Sequence, residues 1–223
     1  MDFPKMRQQL TSNRQTMKKS LLVFALLLLG INLFAQSEWI PLFNGKNFDG
    51  WKISENPSSF AIEDGMIKID GPRAHAFYVG SVNHAEFKNF ELMVELKTMP
   101  KANSGIFFHT AYQESGWPNK GYEVQVNQSH GDWRKSGSLY SFSDVRDVHV
   151  QDGEWYTTHI IVQGDHVVIK INGKTVTDYT ESKDPNRPAN AGEKKIDKGT
   201  FAIQAHDPES VIYYKSIKVK VLD

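Results

Sequence analysis

The segment NSGIFFHTAYQESGWPNKGYEVQVNQ, residues 103–128, contains two short runs in which apolar and polar side chains alternate. Successive side chains of a β-strand point to opposite faces of its sheet, so this alternation predicts two half-buried strands. The apolar positions of the two runs are Ile106, Phe108, Tyr122, Val124 and Val126. We expect the two strands to be antiparallel neighbours that direct this apolar face into a core.

The opposite face of the same strands carries amide, imidazole and carboxylate groups. Its polar members are Asn103, His109, Glu123, Gln125 and Asn127. A third segment, FAIQAHD (201–207), adds Gln204 and His206 on the corresponding face. Each side-chain amide offers both a donor and an acceptor to a hydroxyl group. These three strands therefore predict one concave polar face that is suited to a sugar.

The remainder of the chain repeats the pattern of short strands separated by turns. FELMVELKT (90–98) alternates with a period of two, and FAIEDGMIKID (60–70) contains an Asp-Gly hairpin turn. TTHIIVQGDHVVIKINGKTV (157–176) reads as three strands and two turns, and the polar stretch 181–199 reads as a long loop. This pattern predicts an all-β fold, a sandwich of two curved antiparallel sheets, that occupies residues 36–223 as a single domain.

The first 35 residues have the pattern of a secretory signal peptide. Arg14, Lys18 and Lys19 precede the apolar run SLLVFALLLLGINLFA, which is short for a membrane span and ends at Ala35. We expect residues 1–35 to be removed, so that the mature chain is periplasmic or secreted and has no membrane span. A single anchoring helix is the alternative interpretation of this segment.

Charge and cysteine content exclude several classes of function. The 223 residues include 26 basic and 26 acidic side chains, and loss of five and one of these with the leader leaves 21 and 25, a net charge of −4. A nucleic-acid partner would need a basic stripe, so none is expected. The chain has no cysteine, which excludes disulfides, a thiolate metal site and a lipid-anchoring cysteine.

Three titratable side chains are candidates for chemistry on the polar face: His109, Glu123 and His206. A carboxylate beside an imidazole can tune it for acid–base work near neutral pH. The same three side chains could instead converge on a divalent metal, although their spacing matches no diagnostic motif. The candidate substrate-binding residues, which offer amide, imidazole or aromatic groups, are Asn103, Gln125, Asn127, His130, Trp133, Tyr140 and Gln204.

Nine short segments follow one another along the chain: LFNGKNFDGW (42–51), FAIEDGMIK (60–68), NFELMVELK (89–97), NSGIFFH (103–109), GYEVQV (121–126), SGSLY (136–140), GEWY (153–156), INGK (171–174) and GTFAIQAHD (199–207). Their order is typical of the 3-keto-disaccharide hydrolase family. The chain resembles this family over nearly all of residues 36–223. The resemblance implies a concanavalin A-like jelly roll and action on sugars whose C3 hydroxyl has been oxidised to a ketone.

The chain departs from the family pattern at three polar positions. His109 and Lys215 stand where the family commonly has Arg, and Tyr156 stands where it commonly has Asn. We expect these differences to alter substrate preference or activity.

A C3 ketone changes the chemistry that a glycosidase needs. It acidifies the C2 proton, so that elimination at C1 followed by hydration requires one base, one acid and a stabilised enolate. Endoglucanases of the same superfamily use Glu-x-Asp-x-x-Glu, whereas EVQVNQ (123–128) retains only Glu123, which argues against ordinary double displacement. A non-catalytic carbohydrate-binding module and a structural domain of a surface glycan complex remain the alternatives.

Overall fold

The computed structural model describes residues 38–183 and 193–223, which fold almost entirely as β-strands and the turns between them. The strands are β1 Ile40–Pro41, β2 Trp51–Ile53, β3 Phe60–Glu63, β4 Met66–Asp70, β5 Ala74–Tyr78, β6 Asn89–Thr98, β7 Asn103–Thr110, β8 Tyr122–Asn127, β9 Tyr156–Gln163, β10 His166–Ile171, β11 Lys174–Thr180, β12 Thr200–Ala205 and β13 Val211–Leu222. Two short 3₁₀ segments, Pro57–Ser59 and Val82–Ala85, complete the regular structure of this part of the chain.

The strands form two antiparallel sheets. The larger sheet has eight strands in the order β11-β10-β9-β6-β13-β4-β3, with β1 paired to β13, and the smaller has the order β2-β5-β12-β7-β8. Residues Trp39–Asp223 group into one compact unit. This arrangement confirms the predicted all-β jelly-roll sandwich of two antiparallel sheets.

The core lies between the two sheets, where alternate side chains of both are buried. Along β6 every second residue is buried, as the period of two predicted. The Phe90 ring of β6 meets Phe108 of β7 at 5.8 Å and Phe201 of β12 at 4.8 Å between centroids. Such edge-to-face contacts join the two layers, and they leave the outer face of the smaller sheet free for other contacts.

The hairpin turns follow the sequence signals. Asp64 and Gly65 have φ angles of 51° and 77°, the left-handed conformation that a two-residue turn between β3 and β4 requires. Asn172 and Gly173 adopt the same conformation between β10 and β11, with φ angles of 48° and 81°. The predicted three-stranded meander of β9, β10 and β11 is therefore confirmed.

Strand β7 contains a bulge that the alternation pattern did not predict. Thr110 pairs with Thr200 and Phe107 with Ala202, so two residues of β7 oppose one residue of β12. The extra residue is His109, whose φ of 55° lies in the left-handed region. From His109 onwards, the side chains of β7 no longer point to the faces that the alternation pattern predicted.

The described residues contain no helix that is long and apolar enough to cross a membrane. The predicted leader, residues 1–35, lies outside the described residues, so its removal stays a prediction.

Candidate active site

A cavity of about 410 Å³ opens on the outer face of the smaller sheet, within the usual size range of small-molecule sites. Strands β7, β8 and β12 supply its floor, and the loops around residues 117, 132 and 194 supply its walls. The side chains that line it are Asn103, Phe107, Trp117, Pro118, Asn119, Glu123, Gln125, Asp132, Tyr140, Lys194, Gln204 and His206.

The floor is a layer of amide and carboxylate groups that contact one another. Gln125 donates from Nε2 to Oδ1 of Asn103 at 2.9 Å, across the pairing of β7 and β8. Gln204 of β12 donates from Nε2 to Oε1 of Glu123 at 3.4 Å. The alternation pattern therefore predicted these four floor residues correctly. Their fixed donors and acceptors are suited to polyhydroxyl ligands.

Glu123 is the floor residue best suited to move a proton. Burial raises the pKa of its carboxyl group to about 7, although Lys194 and Gln204 act in the opposite direction. Its Oε1 lies where a side chain on Gly105 would be, because a Cβ atom there would be 2.4 Å from it. No ion pair involves Glu123 among the residues that the structure describes. A carboxyl group in this state can donate or accept a proton near neutral pH.

One wall carries a second carboxylate that the sequence interpretation did not include. Tyr140 donates its hydroxyl to Oδ2 of Asp132 at 3.4 Å. Arg134 pairs with Oδ1 of Asp132 at 3.6 Å and lies 4.5 Å from the centre of the Tyr140 ring. The Lys194 ammonium is 6.0 Å from the same ring. Arg134 is shared by Asp132 and Asp144, which it approaches to 3.2 Å, whereas Lys194 supplies a positive charge to the cavity.

His206 is oriented by the residue that follows it. Its Nδ1 is 2.6 Å from Oδ2 of Asp207. The Ser210 hydroxyl donates to the same oxygen, and the Glu209 amide donates to Oδ1 of Asp207. Burial opposes ionisation of Asp207, but these hydrogen bonds hold its pKa below the ordinary value. Because a carboxylate can only accept, we assign the proton to Nδ1, which leaves the Nε2 lone pair available as a base.

Comparison with known families identifies the family to which the chain belongs. A family model described as the 3-keto-alpha-glucoside-1,2-lyase-like domain matches residues 38–220. The chain belongs to this family. The match covers every strand of the sandwich except the last two residues of β13.

Individual relatives agree with the family assignment and with the fold. A curated relative from Bacteroides thetaiotaomicron, named 3-keto-disaccharide hydrolase, is 28% identical over 232 residues and covers 83% of this chain and 79% of its own. A solved structure from Parabacteroides distasonis, described as a "putative glycosyl hydrolase", is 25% identical with a TM-score of 0.70, covering 83% of this chain and 94% of that one. A Bacillus subtilis protein with a galectin-like fold is 11% identical with a TM-score of 0.58, covering 82% and 94%, and supports the fold alone.

The expectation that His109 lies on the polar face is wrong. The bulge in β7 turns its ring towards the core, where it meets Phe90 at 5.6 Å between centroids. Its Nε2 is 2.9 Å from the Lys88 carbonyl oxygen, and its Nδ1 accepts the Asp197 amide at 3.2 Å. Burial lowers its pKa to about 4. His109 and Glu123 therefore lie on opposite sides of the sheet, and His109 cannot reach a substrate in the cavity.

Three predicted binding residues lie beside the cavity rather than in its lining. Asn127 is buried, and its amide donates to the carbonyl oxygens of Asp132 and Arg134 at 2.8 and 2.7 Å. His130 lies behind His206, with 5.7 Å between ring centroids. Trp133 remains exposed, and the guanidinium groups of Arg134 and Arg146 lie 4.6 and 4.0 Å from its ring centre. These residues shape the loop that presents Asp132, whereas Tyr140 lines the cavity.

The departures from the family pattern also lie outside the cavity lining. Tyr156 is buried in the core, and its hydroxyl is 3.4 Å from Oγ of Ser136. Lys215 is paired with Glu95 at 2.7 Å on the larger sheet. With His109 on the core side, none of the three is placed to contact a substrate directly.

The proposed metal ligand set is not assembled. His109 is separated from Glu123 and His206 by the sheet itself. Within residues 38–183 and 193–223, no group of three or more His, Cys, Asp or Glu side chains is arranged to hold a metal ion.

The sequence interpretation missed three residues that contribute to the site. Asp207 follows His206 directly, and this adjacency was a signal that could have been used. Asp132 and Lys194 come from loops, which have no periodic pattern that would place their side chains. No local pattern indicates that either side chain reaches the cavity.

Proposed function

We propose that the chain is a carbohydrate-active enzyme that cleaves 3-keto-glycosides, by loss of the C2 proton, departure of the C1 substituent and addition of water. Membership of the family and the name of the curated relative support this substrate class. The single observation that carries the proposal is the pair of proton-transfer groups, Glu123 and His206, on one cavity.

His206 is assigned as the base. Asp207 holds the Nδ1 proton, so the Nε2 lone pair can take the C2 proton of the substrate. Without the ketone this proton is far too weakly acidic for an imidazole. With the ketone, the electron pair of the C2–H bond moves towards the C3 oxygen as an enolate forms.

Glu123 is assigned as the acid for the leaving group. Its raised pKa keeps a substantial protonated fraction near pH 7, from which the carboxyl proton passes to the departing C1 oxygen. The products of this half-reaction are an alcohol and an unsaturated 3-keto sugar. In the second half-reaction ionised Glu123 takes a proton from water as its oxygen adds to C1, and the imidazolium returns a proton to C2.

Lys194 and the floor amides are assigned to charge stabilisation and binding. The Lys194 ammonium is the cation of the lining that can attract the developing charge on the C3 oxygen. Asn103, Gln125 and Gln204 offer fixed hydrogen-bonding groups to the sugar hydroxyls.

The proposal predicts a requirement for the C3 ketone and exchange at C2. A 3-keto-glucoside incubated in deuterated water should give product with deuterium at C2, and the parent glucoside should remain intact. Glu123→Gln and His206→Ala should each lower kcat by about 10²-fold or more. Because Glu123 acts in its protonated form, the wild-type rate should fall as pH rises above about 7.

Two results would contradict the proposal. Efficient hydrolysis of the parent glucoside without deuterium at C2 would indicate an ordinary glycosidase that uses Glu123 and Asp132. Binding of the keto sugar without any turnover would indicate the carbohydrate-binding module that was the alternative interpretation of the sequence.

A further inference from the structure

A buried histidine adjoins the cavity and has no role in the proposed mechanism. His75 lies in β5 and pairs directly with Gln204 of β12, so the two side chains are neighbours on the outer face of the smaller sheet. The His75 ring has no exposed surface. It contacts the rings of Phe107 and Trp117, both of which line the cavity, at 5.4 and 5.7 Å between centroids.

Polar atoms of these neighbouring side chains lack partners. Within the described residues, both ring nitrogens of His75 and Oε1 of Gln204 are buried and make no hydrogen bond. Each such atom carries a desolvation cost, and buried polar groups without partners are rare in folded proteins. A ligand that supplies the missing hydrogen-bond partner removes this cost when it binds.

His75 and Gln204 form one corner beside the cavity, and Trp117 closes this corner from the solvent side. Its side chain is 45% exposed and stands between the Arg73 guanidinium, at 5.1 Å, and the His206 ring, at 5.2 Å. The loop that carries it is attached to the sheet edge by a hydrogen bond of 3.3 Å from the Gly116 amide to Glu55. A half-exposed indole on such a loop can change rotamer without disturbing the core.

We propose that His75 and Gln204 form a second sugar subsite, covered by Trp117 in the free protein, that binds hydroxyl groups of the leaving group. The inference rests on the proposed function, because it assigns the ligand as the alcohol released from C1. A neutral imidazole has one donor and one acceptor, and with the Gln204 oxygen it matches neighbouring hydroxyl groups. The leaving group that this corner selects is therefore a sugar rather than a small alcohol.

The distance across the sheet agrees with this assignment. The Glu123 carboxyl group lies over Gly105 of β7, and β12 separates β7 from β5. Two strand spacings correspond to about 10 Å, comparable with two sugar units placed side by side. One ring can therefore occupy the floor near Glu123 while the next reaches His75.

The test measures two substrates with the wild-type protein and with the His75→Phe variant. This substitution keeps an aromatic ring at position 75 and removes both nitrogens. We expect kcat/KM for a 3-keto-disaccharide to fall about tenfold, mainly through KM, and that for methyl 3-keto-glucoside to change less than twofold. His75→Gln should recover part of the loss because it restores a donor and an acceptor. Equal losses on both substrates, or no loss on either, would overturn the subsite.

Two further measurements separate binding from folding. Phe77→Leu is the matched control, since Phe77 is buried in the same strand and contacts the His75 ring at 6.0 Å. It should lower Tm without changing the preference between the two substrates. His75→Phe should keep or raise Tm, because it removes two unpartnered polar atoms. A clear fall in its Tm would show that the imidazole stabilises the fold and would overturn the proposal.

The subsite can be tested even if the proposed reaction fails. If the wild-type protein turns over neither substrate, the proposed function is wrong, and calorimetry then compares binding of the same two sugars. Tighter binding of the disaccharide that is lost in His75→Phe would support the subsite on its own. Equal binding of both sugars by wild type would overturn it.

Discussion

At the scale of single residues, the position of Glu123 depends on the absence of a side chain on its neighbour. The carboxyl group occupies the space above Gly105, where a Cβ atom would lie 2.4 Å from Oε1 and 2.9 Å from Cγ of Glu123. Gly105 has no left-handed φ, so its role is to leave room rather than to form a turn. The sequence predicted the face on which Glu123 lies, but the direction of its carboxyl group depends on this contact across two strands.

Gly105→Ala should displace the carboxyl group of Glu123 without removing it. We expect kcat/KM on a 3-keto-glycoside to fall by about 10²-fold, close to the effect of Glu123→Gln, because the proton donor no longer meets the C1 oxygen. Gly131→Ala is the matched control, since a Cβ atom at Gly131 has no neighbour within 4 Å. If Gly105→Ala folded and kept full activity, Glu123 would not be the proton donor.

At the scale of secondary structure, period-two alternation predicted β7, β8 and β12 and failed at one residue. Asn103, Glu123, Gln125, Gln204 and His206 all line the cavity. His109 does not, because the bulge reverses the direction of its side chain. No local sequence signal predicts that His109 adopts the left-handed conformation, because any residue type can also occupy an extended strand. The signal lies instead in two glycines from other segments.

Gly121 and Gly199 approach the backbone of the bulge from both sides. Cβ atoms at these positions would lie 2.1 Å from the Phe108 carbonyl oxygen and 2.3 Å from the Thr110 carbonyl oxygen. Both contacts involve backbone atoms, which cannot move as a flexible side chain can. The bulge is therefore held by close backbone approach that only glycine permits.

Gly121→Ala should therefore destabilise the fold strongly, by about 3 kcal/mol in urea unfolding. Gly153→Ala is the matched control, because Gly153 also has a positive φ, 84°, but no atom within 4 Å of the added Cβ. We expect Gly153→Ala to lower the free energy of unfolding by only about 1 kcal/mol, because only the left-handed backbone conformation is strained there. Equal losses for the two variants would show that the bulge contact contributes nothing to stability.

At the scale of the whole molecule, the sandwich places polar chemistry on the smaller sheet and leaves the larger sheet with paired charges. Lys215 pairs with Glu95 and Lys220 with Glu91 on the larger sheet, at 2.7 and 3.3 Å. Strand pattern and family resemblance predicted this architecture, because hydrophobic periodicity decides which faces meet. They could not predict that the loop residues Asp132 and Lys194 reach the cavity, because irregular loops have no periodic pattern. The loop of Asp132 is held by hydrogen bonds from the Asn127 amide to the carbonyl oxygens of Asp132 and Arg134.

The N-terminal segment, residues 1–35, should be absent from the exported protein. Among the described residues the first strand begins at Ile40, which pairs with Val219 of β13, so cleavage after Ala35 removes none of the strands that the structure describes. Mass spectrometry of exported protein should show a start at or near Gln36. A chain of residues 36–223 expressed without the leader should match the exported protein in Tm and in activity on a 3-keto-glycoside. An exported protein that retains the apolar run would instead be anchored by it, as the alternative interpretation of that segment requires.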